Sequence, residues 1–137
     1  MKKNLLILLF FPMIFNSCQN ENRKYVGLWE FEGESYWYFS EDGSACNDVH
    51  YGHHGVSIIN DLENCSCDDR KNLGSWMKVN NQNFLLLTFK GESHNVRILN
   101  ETPDLLELDV MGRTLKLKRI SESAFKRRLS PKRYSLL

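Results

Sequence analysis

The chain has 137 residues, with 18 Lys and Arg against 17 Asp and Glu, so its formal charge at neutral pH is only +1. This length suits one ordinary domain, and the balanced charge gives no overall field that would attract nucleic acid. Aromatic residues make up 12% of the chain, and Asn, Ser and Gly recur at close spacing, which favours strands and turns over helices.

The first 17 residues have the pattern of an export signal. Lys2 and Lys3 form a positive start, and Leu5–Phe15 is almost wholly apolar. This apolar run has the length of a signal-peptide core and is too short to span a membrane comfortably. We therefore predict that residues 1–17 are a signal peptide rather than part of the fold.

Cys18 directly follows the small residue Ser17, an arrangement that resembles the lipobox cleaved by the signal peptidase of bacterial lipoproteins. We expect cleavage before Cys18, attachment of acyl chains such as palmitate to it, and a polar tether over residues 18–24. Two or more acyl chains anchor a protein stably in a membrane. The expected location is the cell envelope, at the outer membrane of a Gram-negative bacterium. The alternative is an ordinary secretory peptide followed by a chance cysteine.

Turn-forming residues recur about every ten positions in the remaining chain, a spacing typical of all-β barrels and sandwiches. Asp42-Gly43 supplies the positive φ of a tight hairpin. The strands predicted in the first half are Tyr25–Glu32, Ser35–Ser40, Ala45–His50, Val56–Asn60 and Leu73–Val79.

The second half contains the clearest strand patterns. Asn83–Lys90 is the most apolar stretch, and we predict a central strand that is buried on both faces. His94–Asn100 is the next predicted strand. Leu105–Val110 and Arg113–Ile120 alternate between apolar and charged residues, as half-buried strands do. About eight strands joined by brief loops predict an antiparallel up-and-down barrel over residues 25–120, whose closure removes exposed edges.

Three segments carry a resemblance to a known family: Val26–Phe31 with its Gly-x-Trp, Tyr38–Ser44 with its Asp-Gly turn, and the closing hairpin of Leu105–Leu108 with Leu115–Arg119. Together they resemble the lipocalin-like domains of bacterial envelope lipoproteins. The resemblance implies a monomeric eight-stranded barrel followed by a short C-terminal helix. It also implies that Trp29 closes the barrel floor and that the guanidinium of Arg119 stacks on it.

A lipocalin-like barrel that has a cavity would hold a small apolar ligand at its open end. From strand alternation and the resemblance, the candidate ligand-binding residues are Trp29, Tyr36, Tyr38, Leu86, Ile98 and Arg119. A barrel of this size can equally be filled by its own side chains. It would then be an assembly module that contacts another envelope protein. The chain shows no G-x-S-x-G, H-E-x-x-H or P-loop pattern, so we predict neither an enzyme nor a cofactor.

The segment from Ala45 to Asp69 contains every cysteine except Cys18 and three of the four histidines. In an oxidising compartment Cys46 is expected to form a disulfide with Cys65 or Cys67. The alternative is that these cysteines are free thiols in a loop. A metal site formed by Cys46, His50 and one of the later cysteines is a third functional hypothesis, although their spacing matches no zinc motif and no metal ligand is assigned.

Residues 121–137 form a basic C-terminal segment. Residues 123–129 are predicted to form a short helix capped by Ser121 or Ser123. One interpretation is a surface for anionic headgroups or an acidic partner. The other is a solvated tail that partly covers one end of the barrel.

Overall fold

The computed structural model describes residues 22–51, Leu62 and residues 64–129. The strands are β1 (Gly27–Phe31), β2 (Ser35–Phe39), β3 (Ser44–Cys46), β4 (Val49–Tyr51), β5 (Cys65–Cys67), β6 (Leu73–Lys78), β7 (Phe84–Phe89), β8 (Glu92–Glu101), β9 (Leu105–Val110) and β10 (Arg113–Ile120). A 3-10 turn covers Arg70–Asn72, and one helix, α1, covers Glu122–Leu129.

Eight of the strands form a closed antiparallel barrel. The order around the barrel is β1-β2-β3-β6-β7-β8-β9-β10, and β10 pairs back onto β1 with Leu28 opposite Ile120. Each barrel strand is therefore hydrogen-bonded to the barrel strands that precede and follow it in the chain. The prediction of an all-β, up-and-down barrel of about eight strands with a short C-terminal helix is confirmed.

The barrel interior is filled with large apolar side chains. Trp29 and Phe31 of β1 point inward, as alternation predicts, and so do Leu106 and Leu108 of β9. The fully buried interior cluster consists of Tyr25, Trp29, Phe39, Ala45, Trp76, Leu85, Leu87, Val96, Ile98, Leu106, Leu108 and Leu117. Each of these residues is at most 8% exposed.

Strands β4 and β5 form a separate two-stranded hairpin between β3 and β6. The prediction of one strand over Ala45–His50 is wrong, because the chain turns at Asn47 and leaves the barrel before β4. Strand β5 was not predicted from the sequence. The predicted strand Val56–Asn60 lies outside the described residues.

The prediction of a strand over residues 83–90 is confirmed by β7, but the prediction that this strand is buried on both faces is wrong. In β7, Leu85 and Leu87 are buried in the barrel, whereas Phe84 and Leu86 lie half-buried on the outer wall. The run is uniformly apolar, so its sequence does not reveal which face is inside.

The helix α1 packs against the outer wall, over β1 and β2, rather than over a barrel end. Ser121 caps the helix through a hydrogen bond from the Ala124 N–H to Ser121 Oγ at 3.2 Å. Phe125 is fully buried, and its ring centroid lies 4.8 Å from that of Tyr36. Among the described residues, no helix has the length and apolarity needed to cross a membrane.

Candidate functional site

One end of the barrel, called here the floor, is closed where the chain enters β1. Arg119 lies over Trp29 with 4.2 Å between its guanidinium carbon and the ring centroid, as the resemblance implied. Its Nε donates to the carbonyl of Pro103 at 2.6 Å, and its terminal nitrogens donate to the carbonyls of Val26 (2.7 Å) and Lys24. The guanidinium thus joins the incoming chain to the β8–β9 turn.

Gly27 makes this approach feasible. Its φ is +131°, and an added Cβ would lie 2.7 Å from a terminal nitrogen of Arg119. The backbone conformation therefore requires glycine, and an added Cβ would also displace the Arg119 guanidinium. The Gly-x-Trp pattern has a structural role in closing the floor.

An acidic side chain completes the floor. Glu101 accepts hydrogen bonds from the Tyr25 hydroxyl and from Lys24 Nζ, the latter at 2.7 Å. Burial alone would raise the pKa of Glu101, but these hydrogen bonds outweigh it and hold the pKa below its usual value. Beside this network, Trp29, Pro103 and Arg119 border a cleft of about 500 Å³.

The opposite end of the barrel is less well covered. The inward-facing residues nearest this end are only half-buried; they are Phe31, Trp37, Phe89, Val110 and Leu115, called here the open-end cluster. The rings of Trp37 and Phe89 pack edge to face with centroids 6.1 Å apart. Met111, in the adjoining β9–β10 turn, is 89% exposed. The described part of the chain thus presents half-buried apolar side chains here, surrounded by exposed charged residues of the neighbouring turns, among them Glu32, Lys90 and Arg113.

The six predicted ligand-binding residues do not converge on one cavity. Trp29 and Ile98 belong to the interior cluster, and Arg119 lies at the floor. Tyr36, Tyr38 and Leu86 were expected to face inward, and that placement is wrong. The two tyrosines are buried beneath α1 and the β4–β5 hairpin, and Leu86 is on the outer wall. Whether any of the six binds a ligand stays a prediction.

The cysteine segment forms the disulfide that was expected. Cys46 is bonded to Cys67, with 5.9 Å between their Cα atoms, and the bond joins the end of β3 to the end of β5. Cys65 lies outside the bond and is buried beneath α1. Burial and then the Glu122 carboxylate raise the pKa of the Cys65 thiol to about 11, so its reactive thiolate form is disfavoured at neutral pH.

Formation of this disulfide changes the metal hypothesis. The sulfurs of Cys46 and Cys67 are bonded to each other and are not available as thiolate ligands. His50 instead faces two carboxylates: its Nε2 lies 3.3 Å from Asp48 Oδ1 and 3.6 Å from Asp68 Oδ1. Neither aspartate was predicted from the sequence to have a role. Their only sequence signal was proximity to the cysteines.

Comparison with known proteins adds no functional assignment. No protein-family model, curated protein or solved structure matches the chain.

Proposed function

We propose that this chain is a lipid-anchored envelope protein whose filled barrel contacts another envelope protein through the open-end cluster. The observation that carries this proposal is the packing of the barrel interior. Of the functions considered from the sequence, an assembly module agrees better with that packing than a carrier of small apolar ligands.

The interior leaves little room for a ligand. Side chains that line a void of several hundred Å³ would keep exposed area. Those of the interior cluster are at most 8% exposed, and the half-buried apolar residues packed against them lie mainly in the open-end cluster. Aromatic rings fill the middle of the barrel. The ring centroid of Trp76 lies 5.6 Å from that of Phe39 and 6.1 Å from that of Tyr25. A carrier would have to displace these rings to admit an apolar molecule.

The chemistry of the open-end cluster suits a protein contact. Half-buried aromatic rings beside an exposed Met111 resemble the apolar, aromatic-rich centre of protein interfaces. Most other apolar side chains of the barrel are covered by the barrel itself, by α1 or by the β4–β5 hairpin. The open end is therefore the favoured contact surface.

The proposed anchor would orient that surface. A tether of residues 18–24 spans at most about 25 Å when fully extended. It leads into Tyr25 at the floor, where Arg119 binds the carbonyls of Lys24 and Val26. An acylated Cys18 would hold the floor beside the membrane and direct the open-end cluster away from it. The Cys46–Cys67 disulfide supports an exported location.

Replacing the proposed lipidation site tests the anchor. Cys18→Ser should move the protein from the membrane fraction to the soluble fraction, and intact mass should show that the acyl chains are lost. Asn20→Ser, in the proposed tether, keeps both the cysteine and the small residue before it and serves as the control. A Cys18→Ser protein that stays in the membrane with unchanged mass would contradict the proposal.

The contact surface can be tested with a photocrosslinking amino acid placed in cells at either of two exposed methionines. Met111 adjoins the open-end cluster, whereas Met77, which is 55% exposed, lies on the barrel wall. We expect one discrete protein adduct from position 111, lost on Leu115→Gln, and no such adduct from position 77. Equal adducts from both positions, or none, would argue against this surface.

A further inference from the structure

A cluster of potential metal ligands lies on the β4–β5 hairpin and shares no residue with the open-end cluster. Asp48 precedes β4, His50 lies in its middle, and Asp68 follows β5. One donor atom from each residue lies within 4.8 Å of the other two. Asp48 and His50 lie on the β4 side of the hairpin and Asp68 lies on the β5 side, so the pairing of the two strands brings the three side chains together.

The backbone around these residues is held in place. The Asp68 N–H donates to the Asp48 carbonyl at 3.0 Å, and His50 is paired with Ser66 across the hairpin. The Cys46–Cys67 disulfide lies two residues before Asp48 and directly before Asp68. The paired backbone of the hairpin and the disulfide therefore fix the relative positions of the three residues.

Two of the three distances between the donor atoms match those of a tetrahedral metal site. Zn²⁺ binds imidazole nitrogen and carboxylate oxygen at about 2.0–2.2 Å, which places neighbouring ligands about 3.3–3.6 Å apart. His50 Nε2 lies 3.3 Å from Asp48 Oδ1 and 3.6 Å from Asp68 Oδ1. The oxygens of Asp48 and Asp68 lie within 4.8 Å of each other, and rotation of these half-exposed side chains could bring both to one cation.

The charge and the exposure of the three side chains also favour Zn²⁺ as the ligand. Two carboxylates face one imidazole nitrogen, and a divalent cation would neutralise their mutual repulsion. The three side chains are between 40% and 51% exposed, so water can reach a fourth coordination position. A mixed nitrogen and oxygen set with few ligands suits Zn²⁺ better than Ca²⁺ or Mg²⁺, which take about six oxygen ligands.

We propose that Asp48, His50 and Asp68 bind one Zn²⁺ ion, with water as the fourth ligand. The proposal does not depend on the lipid anchor or on the open-end cluster. The site would connect the two strands of the hairpin and stabilise it in addition to the disulfide.

Isothermal titration calorimetry with ZnCl₂ tests the site. The full chain is purified in detergent with its disulfide intact, stripped with EDTA and dialysed at pH 7. We expect one bound equivalent, and at least a tenfold rise in Kd for His50→Gln and for Asp68→Asn. The control is His94→Gln, because His94 is a half-exposed histidine that also faces a carboxylate, Glu92 at 3.8 Å.

Three results would overturn the proposal. One is the absence of a saturable binding heat when ZnCl₂ is added to the unmodified chain. His50 and the two aspartates would then form only an ion pair. Another is unchanged Kd in His50→Gln, which would place the ion elsewhere. The last is a rise in Kd for His94→Gln as large as that for His50→Gln. Near-UV circular dichroism confirms that each variant is folded, and binding that persists in Cys18→Ser separates this site from the proposed anchor.

Discussion

At the scale of single residues, Arg119 combines a cation–π contact with three hydrogen bonds, although the residue is only half-buried. Its guanidinium stacks on Trp29 and donates hydrogen bonds to three carbonyls, those of Lys24, Val26 and Pro103. A lysine could not replace it, because a single ammonium group cannot reproduce the planar fork of donors. Arg119 is thus a structural residue that closes the floor.

We therefore expect Arg119→Ala to lower the free energy of unfolding by about 3 kcal/mol, the sum of a partly buried cation–π contact and lost charged hydrogen bonds. The control is Arg97→Ala, which removes an exposed ion pair with Asp109 at 3.2 Å and should cost less than about 1 kcal/mol. Urea unfolding measures both. Equal effects of the two substitutions would exclude a special role for Arg119.

Gly74 is required for a different reason, namely close packing between strands. An added Cβ would lie 1.9 Å from the Thr88 carbonyl oxygen and 2.6 Å from the Phe89 ring. Gly74→Ala should therefore lower the free energy of unfolding by about 2–4 kcal/mol through overpacking. Ser75→Ala, on the outward face of the same strand, should be nearly neutral. Thermal melting of the two variants provides the comparison.

At the scale of elements, the β2–β3 turn depends on one carboxylate. Asp42 accepts hydrogen bonds from the Ser40 hydroxyl, from the Ser44 hydroxyl at 2.6 Å and from the Ser44 N–H at 2.8 Å. The Ser40 hydroxyl is the largest of the influences that lower the pKa of Asp42, which falls to about 2 from an ordinary value of 3.8. The folded state thus favours the ionised carboxylate.

This shift predicts the pH dependence of the turn. The stabilisation is fully present above about pH 4 and is lost as the pH falls towards 2, because the folded-state pKa is the lower one. Asp42→Asn should therefore destabilise the protein at pH 6 but hardly at pH 2. Urea unfolding of both proteins across this range measures the difference. A difference independent of pH would contradict the assignment to Asp42.

The β4–β5 hairpin depends on its disulfide. Cys46 and Cys67 are 21 residues apart, and a loop of this size corresponds to about 3 kcal/mol of stabilisation through restriction of the unfolded chain. We expect the double substitution Cys46→Ala and Cys67→Ala to lower the free energy of unfolding by this amount. Adding a reductant should affect the unmodified protein but not the double variant. If the reductant destabilised both proteins equally, the stabilisation would not come from this disulfide.

At the scale of the whole molecule, the filled interior makes a further prediction about bound ligands. Native mass spectrometry of the full chain, released from detergent, should show no co-purifying lipid apart from covalent acyl chains. Incubation with a fatty acid should produce no adduct that survives gentle activation. A stoichiometric noncovalent adduct, lost on Ile98→Trp, would instead support the carrier hypothesis.

The success of the strand predictions varied with the residue pattern. Leu105–Val110 and Arg113–Ile120 were placed correctly because each has one buried apolar face and one charged face. The pattern carries this information only where the two faces differ. Strands of three residues, such as β5, are too short to show a period.

The local sequence by itself determined the long strands and the hairpin turns, since these depend on alternation and turn residues. The stacking of Arg119 on Trp29 was expected only from the family resemblance, because it requires β10 to close onto β1. Only the tertiary structure decided which face of β2 points into the barrel. Both faces of β2 are apolar: Trp37 and Phe39 face the interior, while Tyr36 and Tyr38 are covered by α1 and the β4–β5 hairpin. Those covering elements lie elsewhere in the chain, so the alternation within β2 does not predict which of its faces they cover. The choice of Cys67 as the disulfide partner, and the approach of Asp48, His50 and Asp68, likewise depended on how β4 pairs with β5.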